Sequence, residues 1–178
     1  MSLIFITGTS TSGKSTIAKE LSKCGYEVYD TEHIPSSGWH NKKTGKRVAG
    51  FGEMPERTQE WLGQHEWRIS LDWVRDTAKK ARDKSVVLCG GSANEPEVRK
   101  LCSKVIWLKT DEQTIRSRVN NPRDHDYGTR PHELAAAIKN NQRKEAEYRE
   151  AEAIMVDATQ PIDDVVETII DCLSPGGK

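Results

Sequence analysis

The sequence predicts an α/β fold built on a parallel β-sheet, and three observations support this prediction. Short apolar runs alternate with longer amphipathic stretches along the 178 residues, as in consecutive βαβ units. The apolar runs are continuous and rich in β-branched residues, which is typical of strands covered on both faces. A glycine-rich motif lies directly between the first apolar run and the first amphipathic stretch. We therefore expect residues 1–178 to form a single domain.

Five strands are predicted in chain order, and the first helix is expected at residues 14–23, behind the first strand. The strands are expected at residues 2–7, 26–30, 85–90, 104–109 and 153–158. Residues 33–55 are rich in Gly, Pro and Ser and predict a loop, with a hairpin that turns at residues 43–45. One long helix is predicted over about residues 55–83, because apolar side chains recur there at steps of three and four.

Tryptophan is unevenly placed in this pattern. Trp61, Trp67 and Trp73 fall on the apolar stripe of the predicted long helix, so we expect them to pack in the core. Trp39 lies instead in the glycine-rich loop, where a core position is less favoured. Trp39 is therefore the aromatic side chain that we expect to face a substrate.

Composition and charge argue against several classes of function. The 27 basic and 27 acidic side chains give zero net charge, which argues against nucleic acid as the main partner. The four cysteines form no CxxC pair, so neither a zinc site nor a disulfide framework is expected. No apolar run approaches the roughly 20 residues of a membrane span, and the N-terminus does not resemble a signal peptide. We expect a cytoplasmic protein without a membrane partner, either monomer or dimer.

Residues 8–15, GTSTSGKS, match the phosphate-binding pattern G-x-x-x-x-G-K-[ST] at every fixed position. Its glycines allow backbone conformations in which successive N–H groups point at phosphate oxygens, and the following helix adds its N-terminal partial charge. Lys14 is expected to reach the β- and γ-phosphates, and Ser15 to bind Mg²⁺. The motif predicts a nucleoside triphosphate site made of Gly8, Thr9, Ser10, Thr11, Ser12, Gly13, Lys14, Ser15 and Thr16.

The acidic residue that many nucleoside triphosphatases carry at the end of the third strand is missing, since residues 89–91 are Cys-Gly-Gly. Neither the guanine-reading pattern of GTPases nor the length of a motor protein is found, so a switch or motor is not favoured. Two carboxylates follow the second strand instead, at the sheet edge where ligands bind in open α/β folds. Asp30 is the candidate for holding magnesium or accepting a proton, and Glu32 is the second candidate. A polar turn with a helix cap is the alternative.

Residues 120–132 form a polar, turn-rich segment that carries Arg123 and Arg130. Cations around the γ-phosphate promote phosphoryl transfer, and cations on a mobile segment arrive only when the substrate binds. Arg123 and Arg130 are therefore candidate catalytic residues. Arg116 and Arg118 lie two positions apart on a predicted helix, so at most one of them is expected to face the phosphates.

Together these features resemble the shikimate kinase and gluconate kinase group of the nucleoside monophosphate kinase-like P-loop fold. The resemblance includes the phosphate motif, Asp30, the glycines at 90–91 and the arginine–proline pair at 130–131. Residues 148–169, YREAEAIMVDATQPIDDVVETI, are similar to the C-terminal tyrosine–alanine–strand–helix pattern of that group. The specific motifs cover part of the chain, whereas the order of elements agrees over most of it.

The resemblance implies a three-layer fold with a five-stranded parallel sheet in the order 2-3-1-4-5, flanked by helices. It also implies a lid at residues 120–131 that closes over ATP, and a substrate-binding region at residues 32–82. By the same resemblance, adenine lies between the Arg116 region and the loop that contains Gln160. Arg116 and Gln160 are therefore ATP-binding candidates.

The acceptor side departs from the shikimate kinase pattern. Shikimate kinases carry Asp-x-Asp where this chain has residues 30–32, and three glycines where it has Gly-Gly-Ser. Their substrate arginine has two possible counterparts here, Arg57 and Arg68. The basic residues 39–48 are foreign to the pattern and either bind an anionic acceptor or form a solvated hairpin. The candidate acceptor-binding residues are Asp30, Glu32, Trp39, Arg57, Gly90 and Gly91.

The sequence therefore predicts a kinase that transfers the γ-phosphate of MgATP to a hydroxyl group of a small acceptor. Lys14 and Asp30 are expected at the reaction centre, with Mg²⁺ held by Ser15 and Asp30. A nucleoside monophosphate kinase and a kinase for nucleic-acid 5′ ends are alternatives within the same class. A nucleotide-binding regulator without transfer activity is the alternative from another class, although it has no need of the lid arginines.

Overall fold

The computed structural model describes residues 2–51, 53, 57–81, 84–121 and 127–174. In these residues the strands are β1 (Leu3–Gly8), β2 (Glu27–Asp30), β3 (Gly38–Asn41), β4 (Arg47–Ala49), β5 (His65–Arg68), β6 (Val86–Cys89), β7 (Lys104–Lys109) and β8 (Ile154–Asp157). The helices are α1 (Lys14–Lys23), α2 (Gln59–Gln64), α3 (Leu71–Lys80), α4 (Glu95–Arg99), α5 (Glu112–Arg118), α6 (Pro131–Glu150) and α7 (Ile162–Leu173). A 3₁₀ turn, Thr31–His33, follows β2.

A five-stranded parallel sheet forms the centre of the fold, in the order β2-β6-β1-β7-β8. This is the predicted order 2-3-1-4-5, renumbered because β3, β4 and β5 lie between the second and third predicted strands. Each observed bound of these five strands lies within one residue of the predicted bound. The predicted fold class and strand order are therefore confirmed.

Helices cover both faces of this sheet. Successive side chains of β1 point to opposite faces, so β1 contributes to the core on each side. Ile4 and Ile6 are buried in a cluster with Ile17 of α1 and Ile169 of α7. Leu3 and Phe5 are buried on the other face, in a cluster that includes Val74 of α3 and Val98 of α4. The two clusters explain why the strand sequences are continuously apolar.

A second, antiparallel sheet in the order β4-β3-β5 lies within residues 38–68. The hairpin predicted at residues 43–45 is present, with Gly45 at a φ of 68° and its N–H donating to the Asn41 carbonyl at 2.8 Å. Left-handed backbone of this kind favours glycine, which explains the turn.

The prediction of one long helix over residues 55–83 is wrong. Strand β5 interrupts it, with the Thr58 hydroxyl capping α2 and the Ser70 hydroxyl capping α3. Trp67 satisfies the helical stripe, but it also pairs directly with Trp39 across β3 and β5. Pairing with β3 decides the local conformation, because cross-strand contacts override local preference. Residues 54–56 and 82–83, at the two predicted helix ends, lie outside the described part of the chain.

None of the helices in the described residues is both long enough and apolar enough to span a membrane.

Candidate active site

The P-loop, residues 8–15, connects β1 to α1 with two residues in left-handed backbone. Thr11 has a φ of 72° and Gly13 a φ of 96°. A turn is closed by the Ser12 N–H, which donates to the Thr9 carbonyl at 3.1 Å. At Gly8 the restriction is one of space, because an added Cβ would lie 3.0 Å from the Leu108 carbonyl oxygen. The loop thus has the curled backbone that its motif predicts.

Several donors of the P-loop are left for a ligand. The side-chain oxygens of Ser10, Thr11 and Ser12 are buried and have no hydrogen-bond partner among the described residues. Helix α1 begins after Gly13 without a side-chain cap, so its first N–H groups lack the partner that a cap provides. Unpaired hydroxyls and helix N–H groups suit phosphate oxygens, which accept several hydrogen bonds each.

Lys14 is held against the loop that precedes it. Its Nζ donates to the Gly8 carbonyl at 3.0 Å and to the Thr9 carbonyl at 2.8 Å. Burial lowers the pKa of the Lys14 amine below its ordinary value, although the carboxylates of Glu32 and Glu95 act in the opposite direction. The Lys14 cation is therefore weakly hydrated and held in place by two carbonyl oxygens. In such surroundings its attraction to an incoming phosphate is strong.

The two carboxylates after β2 differ in their surroundings. Asp30 Oδ1 accepts from the Glu32 N–H at 3.0 Å, and Oδ2 lies 3.7 Å from His33 Nδ1. Asp30 therefore caps the 3₁₀ turn, which agrees with the alternative of a polar turn. Glu32 lines the cleft described below. The turn is pressed against β6, since a Cβ on Gly90 would lie 1.7 Å from Thr31 Oγ1.

Glu95 is a buried carboxylate that the sequence analysis missed. Its Oε1 accepts from the Thr7 hydroxyl at 3.1 Å and from the Ser92 N–H at 3.0 Å. Its Oε2 accepts from Lys144 Nζ at 2.7 Å and from the Tyr148 hydroxyl at 2.8 Å. The pattern Ser-x-x-Glu at residues 92–95 is the signal that points to a carboxylate folding back on the backbone. Glu95 therefore joins β1, the loop after β6 and α6 beside Lys14.

Helix α6 contacts the P-loop through Asn141. Its Oδ1 accepts from the Thr9 hydroxyl at 2.7 Å, and its Nδ2 donates to the Thr110 carbonyl at 2.8 Å. Asn141 is buried and was also missed, because an asparagine within the polar stretch Lys-Asn-Asn-Gln of a charged helix gives no sequence signal. These two hydrogen bonds of Asn141 hold α6 at a fixed distance from the P-loop.

One cleft of about 960 Å³ contains the P-loop and extends towards the second sheet. It brings together most of the predicted site, namely residues 8–16, Glu32, Trp39, Gly91 and Gln160. Residues beyond the prediction also line it, and these include Glu95, Arg118, Lys144 and Trp67. Asp30, Gly90, Arg57, Arg116 and Arg130 are not found among the described residues that line the cleft.

The predicted arginines are placed differently from one another. Arg116 is exposed and paired with Glu112, whereas Arg118 lines the cleft, so the two point to different sides as expected. Arg57 is fully buried and paired with Glu133 at 2.9 Å. Arg130 Nη1 also donates to Glu133, at 3.2 Å.

The polar segment at residues 120–132 meets the cleft at its C-terminal end. Arg123 lies outside the described residues. On the described side of the segment, Tyr127 lines the cleft and the Gly128 N–H donates to Glu133 Oε2 at 2.8 Å. Helix α6 thus holds the end of this segment at the cleft.

Among the described residues, no group of three or more His, Cys, Asp or Glu side chains is arranged to hold a metal ion. The oxygen donors near the P-loop include the Ser15 hydroxyl, which lines the cleft, and the carboxylates of Glu32, Glu95 and Asp30, which interact electrostatically with Lys14. Oxygen donors of this kind suit Mg²⁺, which keeps several waters and needs few protein ligands when phosphates supply the others. The donor set therefore fits a magnesium ion that arrives with a nucleotide.

Comparison with known proteins agrees with this geometry. A shikimate kinase of Chlorobium chlorochromatii (strain CaD3) is 32% identical over 128 residues, which are 69% of this chain. The chain spans 60% of the length of that relative.

Solved structures show the same fold. Shikimate kinase from Acinetobacter baumannii in complex with shikimate has a TM-score of 0.60 at 15% identity, over 97% of this chain and 93% of its own. A gluconokinase from Sinorhizobium meliloti 1021 has a TM-score of 0.52 at 19% identity, over 92% of this chain and 86% of its own. The sequence pattern of the family described as shikimate kinase matches residues 10–174. The chain belongs to the shikimate kinase family, a family of P-loop kinases.

Proposed function

We propose that the protein transfers the γ-phosphoryl group of ATP to a hydroxyl group of a small acceptor. One observation carries this proposal: a single cleft joins a P-loop with unpaired donors to a region lined by Glu32 and by aromatic side chains. Lys14 lies at the P-loop and interacts electrostatically with Glu32. Family membership supports the same activity.

The P-loop binds ATP, the donor of the phosphoryl group. Its backbone and the hydroxyls of residues 10–12 bind phosphate oxygens, and Lys14 moves from two carbonyls to the transferring group. Ser15 and a carboxylate of the β2 turn would hold the Mg²⁺ that accompanies ATP, and the ion would screen phosphate charge. Arg118 and Gln160 line the cleft, which supports contacts with the nucleotide beyond its phosphates.

The acceptor half needs a group that takes the hydroxyl proton. Glu32 lines the cleft, whereas Asp30 is not among the described residues that line it and caps the turn through the Glu32 N–H. We therefore assign the proton-accepting role to Glu32 and a positioning role to Asp30, whose bond fixes the turn that presents Glu32. Gly91 lines the same cleft and leaves room for the acceptor.

Two further regions complete the proposal. We assign the lid to residues 120–131, of which Tyr127 lines the cleft and Gly128 is anchored to α6. The acceptor-binding region is assigned to residues 32–82, which contain the second sheet. Closure of the lid would exclude water and limit the hydrolysis of ATP.

An acceptor panel tests the proposed function. Purified protein is mixed with MgATP and one hydroxylated compound at a time, and ADP release and phosphorylated product are both measured. At least one compound is expected to raise ADP release above the background and to appear as its phosphate ester. ATP binding with no phosphorylated product from any compound would instead indicate a nucleotide-binding regulator.

A further inference from the structure

The second sheet supplies an aromatic wall to the cleft, made of Trp39, His65 and Trp67. Trp39 and Trp67 are direct partners across β3 and β5, so their side chains lie on one face of the sheet. Their ring centroids are 5.9 Å apart at an interplanar angle of 79°. Trp61 supports both sides of the wall, at 5.0 Å from Trp39 and stacked on His65 at 4.2 Å. The wall is a packed set of rings on regular elements.

This wall is fastened to the loop that follows β6. The Ala93 N–H donates to the Trp67 carbonyl at 2.8 Å. Asn94 makes two bonds to the backbone of Ile69, with its Oδ1 and its Nδ2 each at 2.9 Å. The same loop reaches the P-loop, since a Cβ on Gly91 would lie 3.6 Å from the Gly8 carbonyl oxygen. A molecule that contacts the wall is therefore held at a defined position relative to the phosphates.

The wall carries two buried donors without partners. The indole N–H groups of Trp39 and Trp67 are buried and have no hydrogen-bond partner in the part of the chain that the structure describes. Trp39 as a whole is only 7% exposed, although it lines the cleft. A buried donor of this kind is costly unless a ligand pairs with it. The wall therefore suits a ligand that offers both a flat ring and oxygen or nitrogen acceptor atoms.

The charged side chains described near the wall balance one another. Lys42 donates to two backbone carbonyls at the end of α2, each at 2.9 Å. Arg68 is paired with Glu66 at 2.8 Å, and Arg57 is buried against Glu133. Glu32 adds a carboxylate to this end of the cleft. Arg68 and Arg57 are neutralised by carboxylates, and the charge of Glu32 offsets that of Lys42. These groups therefore carry no excess positive charge, which disfavours an acceptor that carries a carboxylate or phosphate.

We propose that the acceptor is a hydroxylated molecule with a flat, uncharged aromatic or heteroaromatic ring, and that Trp39 and Trp67 bind this ring. Nucleosides and aryl alcohols share this chemistry. The inference rests on the proposed function, because the ring is bound so that its hydroxyl group reaches Glu32 and the γ-phosphate. In the transfer step the hydroxyl oxygen of the acceptor forms a bond to the γ-phosphorus, the bond between that phosphorus and ADP breaks, and Glu32 accepts the hydroxyl proton.

Binding is tested first, by nuclear magnetic resonance of the five indole N–H groups in ¹⁵N-labelled protein. The ligands are adenosine and thymidine as nucleosides, 4-hydroxybenzyl alcohol as an aryl alcohol, and shikimate as a carboxylated ring alcohol without an aromatic ring. Tryptophan-to-phenylalanine variants assign the signals. A nucleoside or the aryl alcohol is expected to shift the signals of Trp39 and Trp67 but not that of Trp73, which packs on Tyr29. Shifts with shikimate alone, or with none of the four, would overturn the proposal.

Kinetics of matched variants test the same wall in catalysis. Trp39→Leu is expected to raise the acceptor KM about tenfold, as expected for the loss of a ring stacked on an aromatic side chain, without changing the KM for ATP. Trp73→Leu is the control, and both KM values should stay unchanged. Trp39→Phe keeps a ring and so guards against a folding defect in the Leu variant, and the lost N–H should raise the acceptor KM about two- to tenfold. Equal acceptor KM values in all three variants and the wild type would contradict the wall's role.

The two proposals fail in different ways. If a nucleoside shifts the Trp39 signal but neither it nor any compound of the panel is phosphorylated, the ring site is supported and the proposed kinase function is contradicted. If shikimate or another non-aromatic alcohol is phosphorylated and Trp39→Leu has no effect, the kinase function stands and the ring site is wrong.

Discussion

Arg57 Nε donates to Glu133 Oε1 at 2.9 Å, and this ion pair joins residues 76 positions apart with side chains only 1% and 0% exposed. Glu133 lies in the first turn of α6, where it also accepts from the Gly128 N–H and from Arg130. Arg57 lies just before α2. The pair therefore fastens the end of the proposed lid to the region that carries the acceptor wall.

Removal of one partner should strongly destabilise the fold. We predict that Arg57→Met lowers the free energy of unfolding by up to about 3–5 kcal/mol, because it removes the buried cation of the pair and leaves the Glu133 charge with only Arg130 and the Gly128 N–H. Arg75→Met is the control, since Arg75 forms an exposed pair with Asp72 and its loss should change stability by less than about 0.5 kcal/mol. Urea denaturation at neutral pH measures both. Equal stabilities of the two variants would contradict the role of the buried pair.

Because Gly90 and Thr31 are in close contact, a larger residue at position 90 should be tolerated better when residue 31 is made smaller. Gly90→Ala places a Cβ 1.7 Å from Thr31 Oγ1, and overpacking of this kind costs about 1–3 kcal/mol. Adding Thr31→Ala should restore part of the loss, because Thr31 Oγ1 has no hydrogen-bond partner among the described residues. Gly63→Ala has open space and should stabilise α2 by about 0.5–1 kcal/mol. Thermal denaturation distinguishes these outcomes, and no recovery in the double variant would refute the packing argument.

Glu95 and Tyr148 should show coupled effects on stability. Burial, with the neighbouring Glu95 carboxylate, raises the pKa of Tyr148, so its hydroxyl stays a donor over the working pH range. A double-mutant cycle of Glu95→Gln and Tyr148→Phe is expected to give a coupling free energy of about 1–2 kcal/mol. The four unfolding free energies define this value. Additive effects, within about 0.3 kcal/mol, would show that the 2.8 Å contact contributes nothing.

The cysteines should differ sharply in reactivity. Burial raises the pKa of Cys102 to about 12 and also raises that of Cys89, whereas Cys24 is exposed. At pH 8 a thiol reagent is expected to modify Cys24 faster than Cys89 and Cys102 by a factor on the order of 100 or more. Cys24→Ser should remove the fast phase.

The Cys102 shift also sets a pH dependence. Its folded-state pKa is raised, so the stabilisation is complete below the ordinary value of 9.0 and is lost as the pH rises from 9.0 towards about 12. The free energy of unfolding should therefore fall over this range, and less so in Cys102→Ala. An identical pH dependence in the wild type and this variant would contradict the assignment.

Much of the central sheet was predictable because its signals are local. A buried parallel strand reads as a short β-branched run, and the P-loop motif carries its own strand and helix flanks. The helix predicted over residues 55–83 failed because Trp67 fits both a helical stripe and a paired strand. Only its contact with Trp39, 28 positions earlier, distinguishes the two.

The candidate site was predictable at its donor end and less so elsewhere. Residues 8–16 all line the cleft, since one contiguous motif defines them. Glu95 and Asn141 act through partners far away in sequence, at separations of 88 and 132 residues for Thr7 and Thr9. Arg57 was a substrate candidate as a possible counterpart of the shikimate kinase substrate arginine, and its burial against Glu133 depends on the packing of α6.

The most direct test of the proposed kinase is the turnover of Lys14→Ala with the best compound of the acceptor panel. Acceptor-dependent ADP release should fall by a factor of about 100 or more, because Lys14 is the cation held at the P-loop. Lys23→Ala, at the exposed end of α1, is the matched control and should keep full turnover. Circular dichroism should show both variants folded. Undiminished phosphate transfer by folded Lys14→Ala would contradict the account.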